Sequence, residues 1–238
     1  MSDLIEQGEK LILRSSDPAV EKVTGYRRFL IGFDIAQADD PAAFCIIQDS
    51  QTPYWLTDVQ QALRPRRRVV VAAERLRGAS YPELARIARN LTMDPSVVGR
   101  SHLVADATGV GRAWVALAEE KGLKLHKMQI TSGEGESETR EHGRLFYNVG
   151  KNRLLGDLNS ALHTGALQIG QFPLRDEFAA ELDSFQVTFA ETGRAKIEGG
   201  TKGGHADMAM ACSQALWLSD HSSLNCFVGQ SKLAGWFA

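Results

Sequence analysis

The chain of 238 residues carries a formal net charge of −2, and 43% of its residues are hydrophobic and 24% are charged. This length fits one large domain, or one domain with appendages, and the composition is that of an ordinary soluble globular protein. Because the net charge is close to zero, the chain has no global basic field that would attract nucleic acid. A nucleic-acid partner would therefore have to be held by a local basic patch or through bound cations.

The cysteine pattern and the chain start bear on the compartment. Cys45, Cys212 and Cys226 are scattered and odd in number, which favours a reducing environment over a disulfide framework. None of them stands in a C-x-x-C pair, so a cysteine zinc site is not expected. The N-terminus is acidic without a signal-peptide core, and no apolar run is long enough to span a bilayer. We predict a cytoplasmic protein with no membrane partner.

The first 27 residues are predicted to form an N-terminal helical arm. Apolar residues recur on one side of a short helix over residues 2–14, and a break at Pro18 precedes a second short helical piece. The main domain is predicted to span residues 28–220, and residues 221–238 would form a C-terminal tail.

An apolar run over residues 29–37 predicts a buried strand that contains a single carboxylate, Asp34. A buried charge is costly unless it has a partner. Asp34 is therefore either a hydrogen-bonded or salt-bridged acid near the strand end, or a metal ligand. The strand alone favours the first interpretation.

The following segments predict a single α/β domain. A strand over residues 43–47 would form a β-hairpin with the first, and strands over residues 54–59 and 69–73 would continue an antiparallel meander. Next come a helix over residues 81–93, a strand over 102–106, a helix over 112–120 and a strand over 123–130. A strand–helix–strand order predicts parallel pairing with a right-handed crossover.

The second half of the chain is predicted to contain a loop, three helices and a hairpin. Residues 131–141 are polar and acidic and predict a mobile loop. Helices are predicted over residues 151–164, 174–185 and 206–218, with a hairpin formed by residues 185–189 and 194–197. The result is a mixed sheet of about five core strands with helices on both faces.

Three carboxylates occupy positions where ligand sites of α/β sheets gather, namely strand carboxyl ends and helix N-termini. Asp34 lies on the first strand, Asp106 ends a strand of the parallel unit, and Asp207 opens the last core helix. Each also has a structural alternative. Asp106 could hydrogen-bond the turn that follows it, and Asp207 could be an acid favoured by the helix dipole. His205 is a candidate metal ligand or proton relay beside them.

Two motifs that would predict nucleotide binding are incomplete or absent. Residues 109–114 begin like a dinucleotide fingerprint, but Trp114 occupies the position of the third glycine. The chain contains no G-x-x-x-x-G-K-[ST] sequence, so no P-loop ATPase and no nucleotide cofactor are predicted.

Taken in order, the acidic motifs resemble the nuclease domain of phage terminase large subunits, which are DNA-packaging proteins with an RNase H-like fold. The resemblance is carried by IGFDIA at residues 31–36, DATGVG at 106–111 and GHADMAMA at 204–211. YNVGK at 147–151 and ELDSF at 181–185 also resemble segments of that family. The similarity covers residues 28–219, and no ATPase motor precedes it in this chain.

The resemblance implies an α/β fold of RNase H type and a Mg²⁺- or Mn²⁺-dependent endodeoxyribonuclease that uses two metal ions. Asp34 would be shared by both ions, Asp106 and Asp207 would each bind one, and His205 would tune the site or act as a ligand. The family's usual His-Asp-Asp is His205-Ala206-Asp207 here, so the first of the two acids is missing. The implied partners are double-stranded DNA, a separate packaging ATPase, a small terminase subunit and a portal, in the host cytoplasm.

A nuclease also needs Lys and Arg side chains that contact DNA phosphates. The candidates near the predicted site are Arg140, Arg144, Lys151, Arg153 and Lys202. A second basic cluster lies at residues 64–68. For any single one of these residues, ordinary solvated charge is the favoured interpretation.

Two alternative functions remain open from the sequence. The first is another RNase H-like nuclease, such as a Holliday-junction resolvase or an enzyme that cuts the RNA strand of a hybrid. The second is a non-catalytic packaging or docking module of the same fold, which the missing acid at Ala206 would permit.

Overall fold

A mixed sheet of ten strands forms the centre of the protein in the computed structural model. The structure describes residues 4–35, 41–189, 195–198 and 206–222. The strands are β1 (Leu4–Gln7), β2 (Lys10–Leu13), β3 (Thr24–Asp34), β4 (Ala42–Gln51), β5 (Pro53–Thr57), β6 (Gln60–Leu63), β7 (Arg67–Leu76), β8 (Ser101–Asp106), β9 (His126–Thr131), β10 (Glu136–Glu141), β11 (Arg144–Gly150), β12 (Gln168–Ile169), β13 (Gln186–Phe189) and β14 (Ala195–Glu198). The helices are α1 (Tyr81–Met93), α2 (Gly111–Glu120), α3 (Lys151–His163), α4 (Arg175–Asp183) and α5 (Asp207–His221).

The strand order of the main sheet is β10-β11-β9-β8-β3-β4-β7-β12, with the β1–β2 hairpin joined through β2 to the start of β3. β4 is antiparallel to both of its neighbours, β3 and β7. β8, β9 and β11 run parallel to β3. The carboxyl ends of β3, β8, β9 and β11 therefore meet at one edge of the sheet. The predicted α/β class with an RNase H-like mixed sheet is confirmed.

Alternation along the strands divides the core into two layers, because successive side chains point to opposite faces of a sheet. On β3, Leu30 packs with α3, α4 and α5, whereas Phe29, Ile31 and Phe33 pack with α1 and α2. β8 alternates in the same way, since Val104 belongs to the first layer and Leu103 to the second. Helices thus cover both faces, as predicted.

The N-terminal helical arm is a wrong prediction. Residues 4–13 form the β1–β2 hairpin, and β2 pairs with β3. The burial of Leu11 and Leu13, with Ile12 between them more exposed, follows the period of a strand. Tertiary pairing with β3 overrides a short apolar pattern that also fits a helix.

The predicted mobile loop at residues 131–141 is also wrong in its second half. Glu136–Glu141 forms strand β10, which pairs antiparallel with β11 at the edge of the sheet. Nearly every residue of β10 is exposed, so its polar sequence lacks the apolar alternation that identifies a half-buried strand. The strand predicted at residues 54–59 corresponds to β5, which pairs with β6 in a separate two-stranded sheet and does not join the meander.

Strands β6, β11 and β12 were not predicted, and the main sheet has ten strands where about five were expected. Several other elements agree with the predictions. α1 has the predicted bounds and begins with a capping box formed by Ser80 and Glu83. The parallel β8–α2–β9 unit and the β13–β14 hairpin are confirmed. In the predicted C-terminal tail, residues 223–238 lie outside the described residues. No helix in the described ranges is long and apolar enough to cross a membrane.

Candidate active site

Asp34 and Asp106 lie side by side at the carboxyl ends of two parallel strands. Phe33 of β3 is in register with Ala105 of β8, and each acid follows its pair by one residue. By alternation, both acids belong to the face that carries Leu30 and is covered by α5. The sheet register therefore brings two of the predicted site residues together.

The third acid, Asp207, is the first residue of α5 and comes to the same place because α5 packs directly on β3. Gly32 makes this approach possible, since a Cβ atom at that position would lie 1.9 Å from the carbonyl oxygen of Ala211. Nearly every residue of α5 is buried, so the helix is fixed against the sheet along its length. Asp207 thus lies near enough to Asp34 for its charge to raise the pKa of that acid.

The pKa of Asp34 shows that the charges of these acids act on one another. Burial raises the pKa of Asp34 well above its ordinary value, and the charges of Asp106, Asp207 and Glu181 raise it further, whereas the Lys151 ammonium lowers it. The site is therefore a cluster of carboxyl groups close to the Lys151 ammonium. Such a set of carboxylates is stabilised when a cation neutralises it.

Asp106 stabilises the turn that follows it and also lies near Asp34, so a role in the turn does not exclude a role as a metal ligand. Its Oδ1 accepts a hydrogen bond of 2.7 Å from the backbone N–H of Thr108, as the structural alternative predicts. Burial raises the pKa of Asp106, while hydrogen bonds from Thr108 and the backbone of Ile130 lower it. The turn therefore orients a carboxylate that also faces Asp34.

Glu181 of α4 is a fourth acid at this place, and the sequence analysis gave it no role. It is 6% exposed, and its Oε1 accepts a hydrogen bond of 2.7 Å from the backbone N–H of Ala209 in α5. Its Oε2 forms a salt bridge with Arg75 of β7. Burial raises the pKa of Glu181, with a further contribution from Asp207, although the Ala209 and Arg75 contacts oppose the shift. The helical spacing of Glu181 from the buried Phe178 was the available signal.

The chemistry of this donor set fits a hard divalent cation. Mg²⁺ and Mn²⁺ prefer carboxylate oxygens and retain several water ligands, so they do not need a closed cage of protein side chains. Within the described ranges, no group of three or more His, Cys, Asp or Glu side chains is arranged so that it could hold a metal ion as it stands. The carboxylates thus lie close enough for their charges to affect the pKa of Asp34, but they do not surround a common point.

Two of the predicted site residues, His205 and Lys202, lie outside the described residues. Ala206 is the residue immediately before α5 and gives the helix no side-chain cap. Its methyl group also offers no ligand at the position where the resembled family has an acid.

The predicted DNA-binding residues have different surroundings. Lys151 is exposed at the start of α3 and lies close enough to Asp34 to lower the pKa of that acid. Arg140 is exposed on β10. Arg144 pairs with Glu119 at 3.3 Å, and Arg153 pairs with Glu136 at 3.2 Å.

In the basic cluster at residues 64–68, two arginines form salt bridges within the protein. Arg66 binds both carboxylate oxygens of the buried Asp49 at 2.9 Å. Arg68 pairs with Asp220 at 3.0 Å. These contacts lie beside the C-terminal end of α5, at the opposite end of that helix from Asp207, so they serve to anchor the helix.

The sheet order, the helices on both faces and the acids at the strand ends define an RNase H-like α/β fold. Among solved structures, the chain is similar to the large terminase nuclease from thermophilic phage G20c, with 16% identity over 92% of each chain and a TM-score of 0.53. It is also similar to the Thermus phage P74-26 large terminase nuclease domain, with 16% identity over 93% of this chain and 91% of that one and a TM-score of 0.55. The chain thus has the fold of a large terminase nuclease domain, and the resemblance noted in its sequence is confirmed for the fold.

The G20c nuclease has also been solved with bound magnesium, a structure that matches this chain with 17% identity over 89% of this chain and 88% of that one and a TM-score of 0.52. No family model matches the sequence, and no curated protein matches it either.

Proposed function

We propose that this chain is a metal-dependent DNA endonuclease of a phage or prophage DNA-packaging terminase. The observation that supports the proposal is that the charges of Asp106 and Asp207 act on the buried Asp34, at one edge of a sheet with the fold of a large terminase nuclease domain. Burial and mutual repulsion keep these acids in a state that a divalent cation would stabilise. This is the charge pattern expected of a site that handles phosphodiesters through bound metal ions.

The cofactor we propose is a pair of Mg²⁺ or Mn²⁺ ions. Asp34 would be shared between them, Asp106 would hold one and Asp207 the other, with His205 as a tuning group or ligand. Structures of the G20c nuclease with bound magnesium and with bound cobalt support divalent metal use. Such ions, when bound, would supply a nucleophilic water at neutral pH and charge stabilisation for the phosphodiester oxygens.

The protein's own contribution is to hold its carboxylates rigidly and to orient the substrate. Asp34 is the last residue of a central strand that is paired on both sides. Asp106 is oriented by the Thr108 amide. Positioning of reactive groups on rigid elements lowers the entropic part of an activation barrier. A phosphate of the substrate would bind close to the Lys151 ammonium, the cation that already interacts with Asp34.

The DNA surface we propose extends from Lys151 to neighbouring basic side chains. With a net charge of −2, the protein depends on such a local patch together with the bound cations to attract a duplex. The patch would comprise Arg140, Arg144, Lys151, Arg153 and Lys202. Arg144 and Arg153 would exchange their present carboxylate partners for phosphates.

The decisive test is cleavage of supercoiled plasmid DNA in the presence of Mg²⁺ or Mn²⁺. We expect wild-type protein to nick and linearise the plasmid and Asp34→Asn to do neither, while its circular dichroism spectrum stays that of a folded protein. Asp176→Asn is the matched control, because Asp176 is a 95% exposed acid on α4 that pairs with the adjacent Arg175. Cleavage by Asp34→Asn at the wild-type rate would refute the proposal.

Ala206 is the observation that favours a second candidate, a packaging module of the same fold that does not cut DNA. A manganese titration of the wild-type protein by calorimetry separates the two, because the nuclease binds the ion and the docking module does not. Parallel assays on a four-way junction and on an RNA–DNA hybrid separate the packaging nuclease from other RNase H-like nucleases. Preferential cleavage of either substrate would point to a resolvase or to an RNase H activity.

A further inference from the structure

Glu181 connects three elements that meet at the candidate site. It projects from α4, accepts a hydrogen bond from the Ala209 amide in the first turn of α5, and forms a salt bridge with Arg75 on β7. Its side chain is only 2% exposed. Both of its oxygens are thus already bound to protein groups, one to each partner.

The position of Ala209 explains why this contact matters for Asp207. Asp207 and Ala209 are the first and third residues of α5. The first N–H groups of a helix have no acceptor within the helix and need one from elsewhere. Ala206, before the helix, gives no side-chain cap, and Glu181 supplies from another helix the acceptor that a capping residue would give. The orientation of the turn that carries Asp207 therefore depends on Glu181.

The sheet register explains why Arg75 lies on the same face of the sheet as Asp34. Asp34 is paired with Ala43 on β4, and Ala43 with Arg75 on β7. Cross-strand neighbours share a face, so Asp34, Ala43 and Arg75 form a row about 10 Å long across three strands. The small side chain of Ala43 leaves the space between Asp34 and Arg75 in which Glu181 from α4 can lie.

We propose that Glu181 is a positioning residue for the metal site, which holds Asp207 in place through the Ala209 amide and is itself held by Arg75. The inference rests on the proposed function and assigns to Glu181 a role distinct from metal ligation. Its two oxygens are engaged by Ala209 and Arg75, whereas the three aspartates lie at the ends of elements that point to one place. Glu181 thus compensates for the missing helix cap at Ala206 without replacing the missing acid there.

The test compares Glu181→Ala with Glu181→Gln in the full chain. Glutamine keeps an oxygen that can accept the hydrogen bond from Ala209, whereas alanine removes it. Groups that orient metal ligands change metal affinity by about 10- to 100-fold when they are removed. We therefore expect calorimetry with Mn²⁺ to give a dissociation constant raised within that range for Glu181→Ala, and a much smaller change for Glu181→Gln. The number of bound ions should be the same in both variants.

A second measurement follows the contact itself without any metal. Hydrogen exchange at the Ala209 amide, read by NMR, should be faster in Glu181→Ala than in wild type and close to wild type in Glu181→Gln. The matched control is Glu177→Ala, one turn earlier on α4. Glu177 also faces Arg75, at 3.5 Å, but is 62% exposed. We expect it to change neither Mn²⁺ affinity nor exchange at Ala209.

The outcomes separate this inference from the proposed function. Wild-type protein that binds no Mn²⁺ would overturn the metal site and with it the positioning role. Wild-type protein that binds Mn²⁺, with Glu181→Ala binding equally well, would overturn only the positioning role. Equal loss of affinity in Glu181→Gln and Glu181→Ala, with one ion fewer bound, would make Glu181 a metal ligand and would likewise overturn the inference.

Discussion

Gly32 on β3 and Ala211 on α5 are in backbone contact, so close that a Cβ atom on residue 32 would lie 1.9 Å from the Ala211 carbonyl oxygen and 2.8 Å from the Ala215 nitrogen. Neither of those atoms belongs to a side chain that could turn away. This contact lies two residues from Asp34 and four from Asp207, and it sets the spacing between the strand and the helix that carry them.

Gly32→Ala should therefore destabilise the protein by about 1–3 kcal/mol, the usual cost of overpacking a core. It should also weaken Mn²⁺ binding, because α5 has to move away from β3. Urea denaturation and calorimetry measure the two effects. Gly156→Ala is the matched control: Gly156 lies within α3, where a Cβ atom would meet nothing within 4 Å. There alanine should stabilise the helix by up to about 1 kcal/mol, and a similar gain at position 32 would contradict the close packing.

Asp34→Asn should raise the stability of the metal-free protein at neutral pH while abolishing cleavage. The pKa of Asp34 in the folded protein is raised well above the ordinary value of 3.8. Its contribution to stability is therefore fully present below pH 3.8 and is lost as the pH rises through the folded-state pKa. The neutral asparagine does not incur this loss, so the two proteins should differ at pH 7 and converge near pH 4.

Thermal melts from pH 4 to pH 8, with and without Mn²⁺, check this behaviour. The ion should raise the melting temperature of the wild type, because it binds the folded state alone, and should have little effect on Asp34→Asn. A wild-type protein more stable than the variant throughout the pH range without metal would contradict the charge repulsion inferred among the acids.

Asp49→Ala should be strongly destabilising, by about 3–5 kcal/mol, because it leaves a buried arginine without its counter-charge. Asp49 is fully buried and binds the 2% exposed Arg28 at 2.9 Å as well as Arg66. The control is Asp220→Ala. Asp220 also pairs with Arg66, at 2.8 Å, but its side chain is 47% exposed, so the loss should stay below about 1 kcal/mol. Chemical denaturation of both variants makes the comparison, and equal losses would count against a buried anchor.

Lys151→Gln should weaken DNA binding and slow cleavage without lowering stability. The exposed ammonium at the start of α3 is the cation that interacts with Asp34. Loss of one phosphate contact should reduce the slope of log affinity against log salt by about 0.9. Fluorescence anisotropy with a short duplex at several salt concentrations measures the slope. Lys124→Gln is the control, since Lys124 precedes β9 at the opposite edge of the sheet. A slope reduced equally by both variants would show that no local patch exists at Lys151.

That Asp34 and Asp106 lie at one edge of the sheet could be predicted from sequence, because the carboxyl ends of parallel strands meet there. The role of the three aspartates as metal ligands stays a prediction. The same logic gave β8, α2 and β9, whose apolar periods are clear. The register between β3 and β8 determines which residues become neighbours: Phe33 pairs with Ala105, and Asp34 therefore lies beside Asp106.

Glu181 could not be predicted because its role depends on partners that are distant in sequence. Arg75 is 106 residues away and Ala209 is 28. An acid on an amphipathic helix is usually a solvated one, and the helical spacing of Glu181 from Phe178 does not reveal its partners. Strand β10 could not be predicted for a similar reason, because its exposed residues show no apolar alternation and it is defined by its pairing with β11. The β1–β2 hairpin likewise depends on the pairing of β2 with β3.

Helix α5 lies antiparallel to β3, with Asp207 near Asp34 at one end and the carbonyl of Ser219 bound to Arg28 and Arg66 at the other. Between these ends the helix extends for about 20 Å at a rise of 1.5 Å per residue. Because it is buried along this length and in backbone contact with Gly32, we expect a displacement at one end to be transmitted to the other. Substitutions among the arginines that hold Ser219 should consequently alter metal affinity at a site they never touch, so loss of cleavage in such a variant would not identify a DNA-contacting residue.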